Sequence, residues 1–169
     1  MAPAMPEKAA TFSEDDLRAA NINPHSFLAT DYLNHFNEFM MLFELVAAMP
    51  DMAAELLSWR PKSYAQHFKD TGFEAKELAI TAYQYAPEGV RTAFDEVVAE
   101  LDRLCLTAQE IARDVDNLDA EHLQTLITDM LDQINPMLAQ ADGLIHGRHE
   151  PVPNEDNSAL QADIDALFD

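Results

Sequence analysis

The sequence predicts an all-α protein: a helical bundle built on a long antiparallel helical hairpin, with a tethered amphipathic peptide at its C-terminus. Three observations lead there. Only 4 of 169 residues are glycine and 8% are aromatic, while Ala, Leu, Glu and Asp abound, a composition that favours helices over sheets. Apolar residues then recur every three or four positions in two long stretches: Val90, Phe94, Val97, Leu101, Leu104, Ala108, Ile111 and Val115, then Leu123, Ile127, Met130, Ile134, Met137, Ala141 and Leu144. The interruption between them, Asn117-Leu-Asp-Ala120, is short, and long helices joined so briefly pack antiparallel.

From the start of the chain, Met1 to Thr11 contains Pro3 and Pro6 and reads as a loose terminus. Ser13 with Asp16 three residues on caps a short helix to about Asn21, which Asn23-Pro24 ends. The most apolar segment follows, a core helix expected from about Phe27 to Met49, with Tyr32, Phe36, Phe39, Met40, Phe43, Val46 and Ala47 as its stripe. Met41, Leu42 and Leu45 widen that stripe, so its C-terminal half is expected to be covered on two sides. Pro50 breaks the helix, and a short one fits Asp51 to Trp59. Arg60-Pro61 turns the chain into a helix from about Pro61 to Asp70, Gly72 stops it, and Phe73 to Tyr85 forms the next. Ala86-Pro-Glu-Gly89 turns into the first long helix, about Val90 to Val115; the second runs from about Ala120 to His146, with a kink expected at Pro136.

Some polar groupings invite a chemical reading. Asp31, Asn34, His35 and Glu38 share a face at i, i+3, i+4 and i+7, a set that can bind a metal or move protons but that more often is simply the solvated face. The Glu-x-x-His spacing of di-iron bundles does not occur, and His146 and His149 lack further ligands nearby, so no metal and no cofactor of the protein's own is expected. His67-Phe-Lys69 lacks the residue order of a phosphotransfer histidine.

Charge narrows the partners. Thirty-one acidic residues against 10 basic ones give a net charge of −21, which argues against nucleic acid and anionic membrane, since both need clustered Lys and Arg. Four of the basic residues, Arg60, Lys62, Lys69 and Lys76, sit together in the middle of the chain, where they either balance acidic neighbours or receive an acidic tail. The single cysteine, with no secretory signal and no apolar run that spans a bilayer, makes the cytoplasm the expected compartment.

The C-terminal segment, Ser158 to Asp169, is a helix in waiting. Leu160, Ile164, Leu167 and Phe168 form one apolar stripe, Asp163, Asp165 and Asp169 occupy other faces, and Ser158 with Gln161 has capping-box spacing. So short a helix is marginal in water and needs a surface to fold against. The preceding residues to Asn157, with Pro151 and Pro153, read as a tether. Gln161-Ala-Asp-Ile-Asp-Ala-Leu-Phe168 resembles the peptide by which chemotaxis and flagellar proteins hold the response regulator CheY, found at the N-terminus of the FliM family and, in related form, at the C-terminus of the CheZ family. The resemblance implies a partner, a CheY-like receiver, and does not extend to a fold.

A second, weaker resemblance bears on catalysis. Dephosphorylating a receiver takes an amide that holds the attacking water and an acid that pairs with the receiver's lysine, and one helix presents both at i and i+4. The CheZ family does this from Asp-Leu-Thr-Gly-Gln, and the similar stretch here is Cys105-Leu-Thr-Ala-Gln109, in which the glutamine matches as Gln109 and the aspartate is replaced by Cys105. Asp129 and Gln133 have the right spacing on the last helix, and Asp132 with Asn135 gives an acid-x-x-amide pair of the sort found in the CheC and CheX phosphatases.

The sequence thus divides into a flexible N-terminus (1–12), a helical bundle domain (13–146), a linker (147–157) and a response-regulator-binding peptide (158–169). The expected function is capture of a CheY-like response regulator in bacterial chemotaxis or motility, through Leu160, Gln161, Asp163, Ile164, Asp165, Leu167 and Phe168. Two alternatives stand beside it. One is a CheZ-like phosphatase using Gln109, Asp129 and Gln133, with Mg on the partner receiver; the other is a structural adaptor whose tail docks on its own body. The hairpin seam serves intramolecular packing or a homodimer equally well.

Overall fold

The computed structural model describes residues 12–72 and 74–147. Every regular element among them is helical, and the one β-bridge, Ile22 to Ala29, stands alone. The expected C-terminal helix and its tether lie outside the described residues.

Helix α1, Glu14–Ala19, starts where the sequence indicates: the Ser13 hydroxyl accepts the Asp16 amide at 3.1 Å, and three acidic residues fill the first turn. Asn21, in the left-handed region at φ 63°, ends it. The core helix begins later than its apolar pattern suggests. The Asn23 side chain accepts the His25 and Ser26 amides, Phe27 sits at φ 64°, and Ala29 is held by the bridge to Ile22. The Leu28 carbonyl, which a helix from Phe27 would pair with the Tyr32 amide, instead accepts the Asn23 amide at 2.9 Å. A 3₁₀ turn, Thr30–Leu33, then leads into α2, Asn34–Ala48. Tyr32, Phe36, Phe39, Phe43 and Val46 are buried as expected, each large ring contributing roughly 2–3 kcal/mol. The expectation of cover on a second side fails: Met41 and Leu45 are exposed and Leu42 is half-buried.

Helix α3, Met52–Leu57, packs on α2. Helix α4, Tyr64–Asp70, starts at a Ser63 cap that takes the Gln66 amide at 3.0 Å, rather than at Pro61. Residues before it are held otherwise, with the Tyr32 hydroxyl donating to the Lys62 carbonyl at 2.6 Å. Helix α5 covers Lys76–Gln84. Phe12, assigned to the loose N-terminus, packs its ring 5.8 Å from both Phe27 and Tyr85.

The two long helices are α6, Glu88–Arg113, and α7, Ala120–Ile145, joined by a 3₁₀ turn and capped by Asp119, whose carboxylate accepts the His122 amide at 2.7 Å. They share a more extensive contact than any other pair of elements. Phe94, Val97, Leu101, Leu104 and Ala108 of α6 and Leu123, Ile127, Met130, Ile134, Ala141 and Leu144 of α7 are buried, as their spacing predicts. Helix α7 is continuous through Pro136, which lies on its exposed side. Its C-terminal end is tied to the N-terminal turn, where the Ser26 hydroxyl donates to the Ile145 carbonyl at 2.5 Å. Among the described residues, no helix is long and apolar enough to cross a membrane.

Candidate functional site

Gln109 is buried, at 1% exposure. It faces the end of α3, where its Nε2 donates to the Leu56 carbonyl at 3.0 Å and to the Trp59 carbonyl at 2.8 Å. Both carbonyls, at and just past the end of α3, also accept local donors, the Trp59 amide and Arg60 Nη1, and Gln109 adds a bond to each from α6. An amide that orients water on a partner's phosphoryl group must reach solvent, so this geometry corrects the expectation and gives Gln109 a structural task. Cys105, one turn earlier, is also buried; desolvation, then the charge of Asp102, pushes its thiol up to about 12. It behaves as a small hydrophobic residue, not as a replacement acid.

Asp129 and Gln133 lie together on the exposed face of α7, one turn apart, and Gln133 makes a long contact of 3.8 Å to Met130 Sδ. Asp132 and Asn135 are exposed as well. The structure therefore brings Asp129 and Gln133 to one surface and leaves Gln109 inside. The peptide residues Leu160, Gln161, Asp163, Ile164, Asp165, Leu167 and Phe168 lie outside the described residues. No protein-family model, curated protein or solved structure matches the chain.

Geometry instead draws attention to the face between α2 and the segment after α3. His35, expected on a solvated stripe, is 5% exposed. Its ring stacks on Trp59 with centroids 4.5 Å apart, and Trp59 Nε1 donates to the His35 carbonyl at 3.0 Å. Desolvation, then the nearby His67 and Lys62, lowers the His35 pKa to about 4, so the ring is neutral near pH 7. Its Nε2 is buried without a partner. The two rings line a cleft of about 320 Å³, whose walls are Glu38 and Leu42 of α2, Glu55 of α3, and Ser58, Arg60 and Lys62 after α3. Side chains hold that wall in place: Arg60 Nη1 donates to the Leu57 and Trp59 carbonyls, and Lys62 pairs with Asp70 at 3.0 Å.

Asp102 has one carboxylate oxygen buried without a partner, and burial pushes its pKa up to about 6. Among the described residues, no three His, Cys, Asp or Glu side chains form a group that could hold a metal ion. The aromatic floor, Leu42, the cations Arg60 and Lys62 and the carboxylates Glu38 and Glu55 give the cleft a mixed apolar and charged lining.

Proposed function

We propose that this is a cytoplasmic signalling protein of bacterial chemotaxis or motility that captures a CheY-like response regulator with its C-terminal peptide. The observation that carries the reading is the segment Gln161-Ala-Asp-Ile-Asp-Ala-Leu-Phe168, whose apolar residues fall on one helical stripe and whose aspartates flank it. The stripe fills a groove on the receiver, the aspartates meet a basic rim, and the tether keeps the captured receiver near the body. The body is read as an antiparallel hairpin of α6 and α7 on which the shorter helices pack. Burial of both Gln109 and Cys105 favours capture over CheZ-like catalysis.

The test is a titration of a cognate receiver, with and without an acyl-phosphate mimic, against the full chain and against Ile164→Ala with Phe168→Ala. Saturable binding lost in the double variant supports the reading; undiminished affinity removes it. A phosphatase remains as a second reading because Asp129 and Gln133 are exposed at i and i+4 on α7. Faster decay of the phosphorylated receiver with the full chain, abolished by Gln133→Ala, would establish it.

A further inference from the structure

We infer that the chain's own C-terminal segment, Ser158 to Asp169, docks along α2 with its acidic residues toward Arg60 and Lys62, so that the receiver must displace it. The docking itself rests on the surface of the body; only the competition rests on the function proposed above.

The body offers a surface of the required kind. Met41 and Leu45, at i and i+4 on α2, are 57% and 37% exposed, and Met49, which follows the last helical residue in a non-helical conformation, is 51% exposed. Glu38 and Leu42, which line the cleft, share this side of the helix with Leu45 by spacing, so the cleft runs into an apolar ridge. Two large apolar side chains left in water on one helix, with a third just past its end, are a standing opportunity for an apolar stripe. The segment's Leu160, Ile164, Leu167 and Phe168 supply one of matching periodicity.

Charge sets the direction. The segment carries Asp163, Asp165 and Asp169 and no basic residue. Among the described residues Arg60 forms no ion pair, its guanidinium donating instead to the Leu57 and Trp59 carbonyls. Lys62 beside it is already paired with Asp70 and adds a second positive charge to the same wall. Glu38 and Glu55 also line the cleft and oppose the aspartates, so the apolar ridge carries most of the attraction and the dock is weak. Weak is what a displaceable contact requires.

Reach permits it. Ile145 and His146, at the end of α7, line the same depression as Thr30. From Thr30 to His35 the backbone is helical, a rise of roughly 8–10 Å. About ten residues separate Gly147 from Ser158; extended they span at most roughly 35 Å, and as a flexible chain roughly 17 Å. The segment therefore meets the cleft at an effective concentration in the millimolar range.

The experiment uses the full chain with a nitroxide on Asp169→Cys, selective because Cys105 is buried, and reads broadening of backbone amides. Expected is strong broadening at Leu42, Leu45 and Arg60 and little at the start of α7, lost in Leu45→Glu and in Ile164→Ala with Phe168→Ala. Leu45 is exposed, so its variant retains the fold. Uniform weak broadening, or a pattern unmoved by Leu45→Glu, overturns the docking. Mixing isotope-labelled unmodified chains with spin-labelled ones separates the other occupant: broadening in the mixture means a second copy and overturns self-docking. Receiver is then added. If the tail is docked in most molecules, Leu45→Glu binds receiver roughly threefold to tenfold more tightly; equal affinity overturns the competition. Docking without any receiver binding leaves the dock standing and removes the proposed function.

Discussion

Replacing Gln109 by alanine tests whether this residue is a structural clamp. The substitution removes two buried hydrogen bonds, to the Leu56 and Trp59 carbonyls. Each is worth about 1 kcal/mol net. Neither carbonyl is left bare, since Leu56 still accepts the Trp59 amide at 3.1 Å and Trp59 still accepts Arg60 Nη1 at 2.8 Å. The penalty for an orphaned acceptor is therefore small, and the remaining cost is the void, about 1 kcal/mol. Gln109→Ala should lose about 3 kcal/mol and Gln109→Leu, which keeps the volume, about 2 kcal/mol. Gln109→Glu is the sharper probe. At neutral pH it sets a carboxylate against two carbonyl oxygens and should cost more than alanine; at low pH the protonated acid can donate one bond, and the gap should narrow. Urea unfolding of the full chain at two pH values reads all three, with an unchanged slope confirming that only stability moved. A loss under about 1 kcal/mol for alanine, or equal stability of Leu and Gln at this position, would refute the reasoning.

Other predictions use the same body. Tyr64→Phe removes the acceptor of the buried Ala29 amide at 2.8 Å and should cost about 1–2 kcal/mol by thermal melting, with faster hydrogen exchange at Ala29. Asp102 has a folded pKa of about 6, above its unfolded value, so the folded chain holds an extra proton between about pH 4 and 6 and loses stability as pH rises through that window. Asp102→Asn should remove this slope and add about 1 kcal/mol above pH 6, a value discounted for the water that reaches part of the carboxyl. His35 acts in the opposite sense: its pKa of about 4 lies below the unfolded value, so stability falls as pH drops from 6.5 toward 4, and His35→Phe should abolish that acid limb while keeping the stack on Trp59. Cys105 should resist a thiol reagent in the native chain and react fully in denaturant.

Much of the fold was legible because long periodic stretches leave few alternatives. The seam of α6 and α7 follows directly from the spacing of Leu101, Leu104, Ile127 and Ile134, and Ser13 and Asp119 sit where caps are needed. Element starts were harder, since Phe27 looks like the first turn of an apolar helix while the side chain of Asn23 and two positive φ angles hold that stretch in a turn. For polar residues inside the core, position decides burial over residue type. His35 lies three residues after Tyr32 and four before Phe39, and Gln109 lies four after Cys105 and three before Ala112, all of them buried. Spacing alone puts both inside. What it does not convey is which carbonyl each neighbour will present, because that depends on where α3 ends against α6.

Gln109 and His35 connect α6 and α2 to the surface on which the tail is inferred to dock. Gln109 of α6 holds the Trp59 carbonyl, Trp59 donates its indole N–H to the His35 carbonyl of α2, and the two rings stack beneath the cleft. The cleft wall at residues 59–62 belongs to no helix, and a connecting segment of that kind is ordinarily mobile. Here Gln109, Arg60 and Tyr32 each donate to one of its carbonyls, which fixes the wall without hardening the apolar ridge beside it. A fixed wall lowers the ordering cost of docking a short segment, whereas loss of the Gln109 bonds would loosen the wall as well as the fold. Gln109→Leu should therefore weaken broadening at Arg60 from a spin label on the tail more than broadening at Leu45, even under conditions where the chain remains fully folded.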